Sequence, residues 1–209
     1  MLEESPTRAF EEARAGAATV AQRATPAAAF SRAREIFLSG SRLDMGQLAA
    51  ELGVARATLY RWTGDRNRLL SDVAWVEVES LLRYVDENSQ GSGLERIQQM
   101  VSVFLDLMAE NKSLSAFLAL EGDVGLQLFT APTGHLRPRI IAMATEMIRR
   151  EVDANHYRAP DDPRILAEGI VSLGERFLYH AGERAIDPDP QTAKRIIGLL
   201  LREPSPTRP

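Results

Sequence analysis

Apolar residues recur along almost the whole chain at intervals of three and four, the period of a helix with one buried face. No alternation of period two persists long enough to make a strand, so the expectation is an all-α protein. The most informative stretch runs from Asp44 to Leu70. There Leu48, Ala49 and Leu52 supply an apolar face at helical spacing, and Gly53 stops the helix where a left-handed backbone is needed. Val54 and Leu59 continue the face beyond the turn, and Ala49 is small enough to let the second helix cross close above the first. This is the steric pattern of a helix-turn-helix, in which one helix braces and the next enters the DNA major groove.

Punctuation on either side predicts the neighbouring elements. Thr25 followed by Pro26 reads as N-cap and first turn of a helix that runs to about Leu38, turns Phe30, Ala33, Ile36 and Phe37 inward, and ends at Gly40. Asp44 is placed to cap the bracing helix, with Gln47 three positions on at capping-box spacing. After the break at Thr63-Gly64-Asp65, Asp65 can cap a long helix carrying Leu69, Leu70, Val73, Ala74, Val78, Leu81, Leu82 and Val85. It begins in the reader and ends beyond it, which makes it the natural lever between the two parts.

The segment NSQGSG, residues 88–93, is a linker, and helices are expected near 94–110, 113–130, 135–155, 162–182 and 189–202. The resulting organisation is a flexible arm over 1–25, a helix-turn-helix domain over 26–75, a helical domain over 76–203 and a disordered, proline-rich tail over 204–209.

Donors on the second helix change the picture from packing to chemistry. Arg56, Thr58, Tyr60 and Arg61 crowd into two turns, and Arg66 and Arg68 follow at the start of the next helix. Arginine can grip guanine or phosphate, while threonine and tyrosine hydroxyls reach phosphate or base edges. A solvated helical hairpin is the plain alternative. The formal net charge of −4 looks wrong for a nucleic-acid binder until it is divided. Residues 26–75 carry seven Arg against five acids, +2, whereas residues 76–209 carry fifteen Lys or Arg against twenty acids, −5. Any electrostatic footprint is therefore local.

Other classes find little support. The absence of cysteine removes disulfides, thiolate ligands and a cysteine nucleophile, and the sequence has no membrane-spanning run and no secretory signal pattern, so a cytoplasmic address is expected. There is no glycine-rich phosphate loop, G-x-S-x-G elbow or H-E-x-x-H helix, and His135, His156 and His180 lie far apart. Neither an enzyme, a cofactor nor a metal site is expected.

Residues 26–85 resemble the DNA-binding domain of the TetR/AcrR family of transcriptional regulators, and Gly53 to Trp62, GVARATLYRW, carries the likeness most clearly. Trp62, Thr63 and Gly64 depart from it, standing where most members place His, Phe and Lys. The LYRW spelling, with GERFLY and PDP near the C-terminus, looks like the QsdR-type branch of that family. The resemblance implies a three-helix reader, a connecting helix and a C-terminal helical domain for effector binding and dimerisation. It implies double-stranded DNA with a palindromic operator as partner, and a phosphate role for Arg66. The DNA-binding set is then Gln47, Arg56, Thr58, Tyr60, Arg61 and Arg66, with Tyr60 and Arg66 on the backbone.

A Met and Phe stripe at helical spacing is ordinarily core, but the resemblance implies a pocket for a small, largely apolar effector. Met100, Phe104, Phe117, Met143, Met147 and Phe177 are its candidate lining. Helices 162–182 and 189–202 could form a homodimer's four-helix interface, since Gly169 and Gly174 imply close approach of a helix. The alternative is packing within one chain. The expected function is thus a transcriptional regulator, a repressor released by effector. The alternative is a helical ligand-binding or scaffolding protein whose helix-turn-helix contacts protein.

Overall fold

The computed structural model describes residues 7–14, 24–132, 134–179 and 189–204, and all regular elements among them are helices. They are α1 (Arg8–Arg14), α2 (Pro26–Leu38), α3 (Met45–Glu51), α4 (Arg56–Thr63), α5 (Arg66–Asn88), α6 (Gly93–Ala109), α7 (Lys112–Thr130), α8 (Arg137–Asp153), α9 (Pro163–Tyr179) and α10 (Pro190–Leu200). Two compact units result, Met1–Glu77 with Lys112–Leu136, and Val78–Asn111 with Arg137–Pro209. The long helix α5 contributes its first half to one and its second half to the other.

In the first unit the capping expected from sequence is present. Thr25 Oγ1 accepts from the Ala28 N–H at 3.1 Å, and Asp65 Oδ1 accepts from the Arg68 N–H at 2.8 Å. Residues 8–14, inside the stretch expected to fray, instead form α1. Phe10 is buried with its ring centroid 6.1 Å from that of Phe30, and Thr7 Oγ1 donates to the buried Asp72 carboxylate at 2.8 Å. One aromatic anchor and one part-buried hydrogen bond thus help to hold a segment whose apolar pattern is too sparse to announce itself. The remainder of the arm, 1–6 and 15–23, lies outside the described residues, as do 180–188 and the tail from 205.

Helix α7 falls in this same unit. Its Phe117 packs with ring centroids 5.0 Å from Phe37 and 6.2 Å from Phe129, an aromatic core within this unit.

The second unit packs α6, α8, α9 and α10 around Ile97, Leu105, Ile148, Leu166, Ile197 and Leu201, all nearly inaccessible. Both interior glycines of α9 are accounted for within the chain. A methyl group on Gly169 would come 2.8 Å from Leu200 on α10, and one on Gly174 would come 3.4 Å from Leu105 on α6. Close approach is real, but its partners are intramolecular.

An ion network ties the end of α5 to α6 and α8. Asp86 accepts from Arg96 Nη2 at 2.7 Å and from Arg150 Nη2 at 2.6 Å, while Arg96 Nη1 also donates to Glu151 at 2.9 Å. Burial alone would raise the Asp86 pKa, but hydrogen bonds and charge from Arg150 and Arg96 outweigh it and hold the carboxyl below its ordinary value. A carboxyl with a lowered native pKa stabilises the fold above its unfolded value, and that contribution is lost as pH falls through the native one. Asp86→Asn is therefore expected to lower unfolding free energy by about 1–3 kcal/mol at neutral pH. Urea unfolding across a pH series should show the deficit shrinking below about pH 3.9.

Candidate nucleic-acid interface

The reader is built on α3, a turn and α4. Asp44 Oδ1 accepts from the Gln47 N–H at 2.8 Å and fixes the start of α3. At the other end Gly53 takes φ +66°, its N–H donates to the Ala50 carbonyl at 3.1 Å, and the Val54 N–H donates to the Ala49 carbonyl at 3.0 Å. These paired bonds satisfy the last carbonyls of α3 and aim the chain into α4. Residues Leu48 and Ala49 from α3 and Leu59 from α4 are buried at the crossing.

Helix α4 has two unlike faces. Leu59, Trp62 and Thr63 are buried, and the Thr63 hydroxyl donates to the Leu59 carbonyl at 3.0 Å, so its polarity is satisfied inside the helix. Opposite them Arg56, Tyr60 and Arg61 are exposed, Tyr60 by 46%, with Thr58 half-buried at the margin. An exposed aromatic ring between two arginines is costly as mere surface and useful against a sugar-phosphate backbone. Neither arginine is held in an ion pair among the described residues, whereas Arg96 and Arg137 of the second unit are. Arg137, for example, donates to Glu168 at 2.8 Å and to Glu175 at 3.0 Å.

Two residues of the sequence-derived set behave differently. Gln47 is exposed and its side-chain Nε2 donates to Glu51 at 3.0 Å, while its backbone N–H donates to the Asp44 carboxylate, the cap half of the box. Glu51 in turn accepts from Arg32 Nε at 2.8 Å. Arg66 is turned inward: its Nε donates to the Leu43 carbonyl at 2.7 Å and its Nη2 forms an ion pair with Glu121. It is half-buried, apart from the open donors of α4.

Arg42 was not singled out from sequence, yet it is exposed in the loop before α3 and lines a hollow of about 220 Å³ with Gln47, Ser39 and Ser41. Its only signal in the sequence is its place two residues before the cap. The Asp44 carboxyl is held below its ordinary pKa first by the Gln47 N–H and then by the Gly46 N–H, with smaller help from the charges of Arg56 and Arg42.

Of the candidate effector residues, Met100 and Met147 are buried and Phe104, Met143 and Phe177 are half-buried, all in the second unit on α6, α8 and α9. These helices pack on one another. A separate cavity of about 580 Å³ lies in the first unit, lined among others by Asn67, Arg68, Ser71, Gln127, Leu128 and His135. None of the residues named for effector binding borders it. Among the described residues no cluster of three or more metal-ligating side chains occurs, and no helix is long and apolar enough to cross a membrane.

Residues 92–202 match the family model described as tetracyclin repressor-like, C-terminal domain. The solved structure of the R. erythropolis transcriptional repressor QsdR, from the TetR family, aligns with a TM-score of 0.75 at 30% identity, covering 83% of this chain and 92% of that one. The TetR family transcriptional regulator PfmR from Thermus thermophilus aligns more loosely, with a TM-score of 0.43 at 18% identity over 84% of this chain and 97% of that one. A protein with unknown function from a Rhodococcus species gives 0.49 at 17% identity over 83% and 93%. No curated protein matches the chain in sequence.

The packing of Arg56 yields a direct test of this face. A methyl group on Gly46 would come 2.3 Å from Arg56 Nη2, the movable tip of a long side chain. Gly46→Ala removes a helix-breaking residue worth up to about 1 kcal/mol, so it should not lower the unfolding midpoint. It should nevertheless displace Arg56 and change affinity for duplex DNA, measured by fluorescence anisotropy. Unchanged affinity with a lowered midpoint would make the place of Arg56 structural.

Proposed function

Because the chain belongs to the TetR family of transcriptional regulators, we propose that it is a repressor that binds a palindromic operator as a homodimer and leaves it when a small, largely apolar effector binds. The observation that carries the DNA-binding part is the division of α4. Leu59, Trp62 and Thr63 fix one face in the core, and Arg56, Tyr60 and Arg61 stand open on the other with Thr58 beside them. In this reading Arg56, Thr58 and Arg61 touch bases or phosphates, Tyr60 positions the backbone, and Gln47 supports from α3. The protein acts in the cytoplasm by binding alone, with no catalytic step.

Dimerisation is supported by what α9 and α10 leave uncovered. Ile165 is 58% and Leu199 56% exposed, with Ile196 and Leu200 beside Leu199 on α10. Apolar groups this open on two adjacent helices favour a second copy as cover, and two readers gain affinity by engaging two half-sites. The glycines of α9 do not add to that case, since α6 and α10 of the same chain already fill the space beside them. Leu199→Glu should leave the fold intact and shift the protein to monomer in sedimentation velocity, with loss of tight operator binding. A dimer that survives this change would remove the interface from α10.

An effector releases DNA only if it prefers a conformation in which the readers no longer fit. We place it among Met100, Phe104, Met143, Met147 and Phe177, with α5 carrying the shift. Selection of bound fragments from the source genome at near-physiological salt tests the whole reading. A shared palindrome is the expected result, and fragments no richer than background from folded protein would sink it. On that palindrome Arg61→Ala should cost about 1–3 kcal/mol in a sequence-dependent way if Arg61 reads a base, and a uniform loss would make it a phosphate anchor.

A further inference from the structure

Arg66 opens α5 directly after the turn that ends α4, close in sequence to the open donors of the reader, yet its guanidinium is already engaged. Its Nε donates to the Leu43 carbonyl at 2.7 Å, in the loop that leads into α3, and its Nη2 forms an ion pair with Glu121 of α7. The Arg66 side chain remains 24% exposed, whereas that of Glu121 is only 4% exposed. A carboxylate so withdrawn from water depends on its counter-charge. One arginine thus joins the loop before the bracing helix, the first turn of α5 and the middle of α7.

The Glu121 end of this pair sits at an irregular point. Gly122, the next residue, has φ +55° and ψ −133°, a break within α7 in a region of backbone space open to glycine and strained for other residues. Apart from its own stretch of chain, nothing lies within 4 Å of where a Cβ on Gly122 would be, so no packed neighbour occupies that space. The break separates the Glu121 segment of α7 from the Phe129 segment. Phe117, on the Glu121 side of the break, packs against Phe129 on the far side, so the aromatic core spans the break.

We propose that Glu121 competes with DNA phosphate for Arg66, so that the ion pair withholds one phosphate contact from the reader. The inference rests on the DNA-binding reading above. In the paired state the charge of Arg66 is cancelled where it stands, and it displaces no counterion from DNA. Freed from Glu121 it becomes a planar cation with a fork of N–H donors, suited to a phosphate. Each phosphate newly neutralised on duplex DNA steepens the dependence of log affinity on log salt by about 0.9. That slope is a signature that a purely structural ion pair would not move.

The test uses the full chain and a labelled DNA duplex of fixed sequence, titrated by fluorescence anisotropy over a salt series. Glu121→Gln keeps the size and one acceptor of the side chain but removes its charge. It is expected to bind several-fold more tightly than the wild type at low salt, with a slope steeper by about 0.9. Arg66→Ala combined with Glu121→Gln should abolish both gains. Asp123→Asn, which removes the same charge from an exposed neighbour on α7, should leave the slope unchanged.

A wild-type slope in Glu121→Gln overturns the inference, as does a gain that survives in the double variant or is copied by Asp123→Asn. If Glu121→Gln does not fold, Glu121→Asp shortens the reach by one methylene and should shift affinity and slope in the same direction; no shift there overturns the inference equally. Failure of the wild type to bind any duplex at low salt defeats the DNA-binding reading itself, and is told apart from the other outcomes by that alone.

Discussion

Burial of one face of α4 is the constraint on which the candidate interface depends. Leu59 and Thr63 are inaccessible, Trp62 nearly so, and α1, α2 and α3 all pack against this eight-residue helix. So short a helix has little stability of its own and holds its shape because its inner side chains are removed from water. The same burial fixes its rotation about its axis. With Leu59 inward, Tyr60 and Arg61 can only face out, and the turn at Gly53 sets the angle at which they do so.

Electrostatics follow a division of labour that the net charge conceals. The second unit uses its arginines internally, Arg96 with Asp86 and Glu151, Arg137 with Glu168 and Glu175, so that many of its charges cancel where they stand. In the reader Arg56 and Arg61 are left open to solvent. A protein of net charge −4 can therefore present a locally basic face, because fields from paired charges fall away quickly while those from open ones do not. Arg66, like Arg32, Arg34 and Arg68 around it, is paired within the fold, which leaves Arg56 and Arg61 as the open arginines of α4.

The aromatic and methionine residues that sequence groups together are divided by the fold. Phe117 enters a cluster with Phe37 and Phe129 beside the reader, while Met100 and Met147 enter the core of the second unit. Composition and spacing are the same in both places. A stripe of large apolar side chains tells that a face is covered, and the covering element decides whether it is core or pocket.

What the sequence determined by itself was short in range. The helical period, the caps at Thr25, Asp44 and Asp65, and the left-handed turn at Gly53 each involve residues within about four positions of one another, where covalent geometry leaves few choices. The open donors of α4 were legible for the same reason, since the apolar positions of that helix dictate its outer face. Tertiary structure alone decided the rest. Phe10 meets Phe30, Phe37 meets Phe117, and Arg66 meets Glu121 across 55 residues, each pairing set by which helices pack and not by any local signal. A side chain carries its chemistry in its name, but its partner across the fold depends on the path of the whole chain, and that path is what removed Arg66 from the open face and left Arg56 and Arg61 on it.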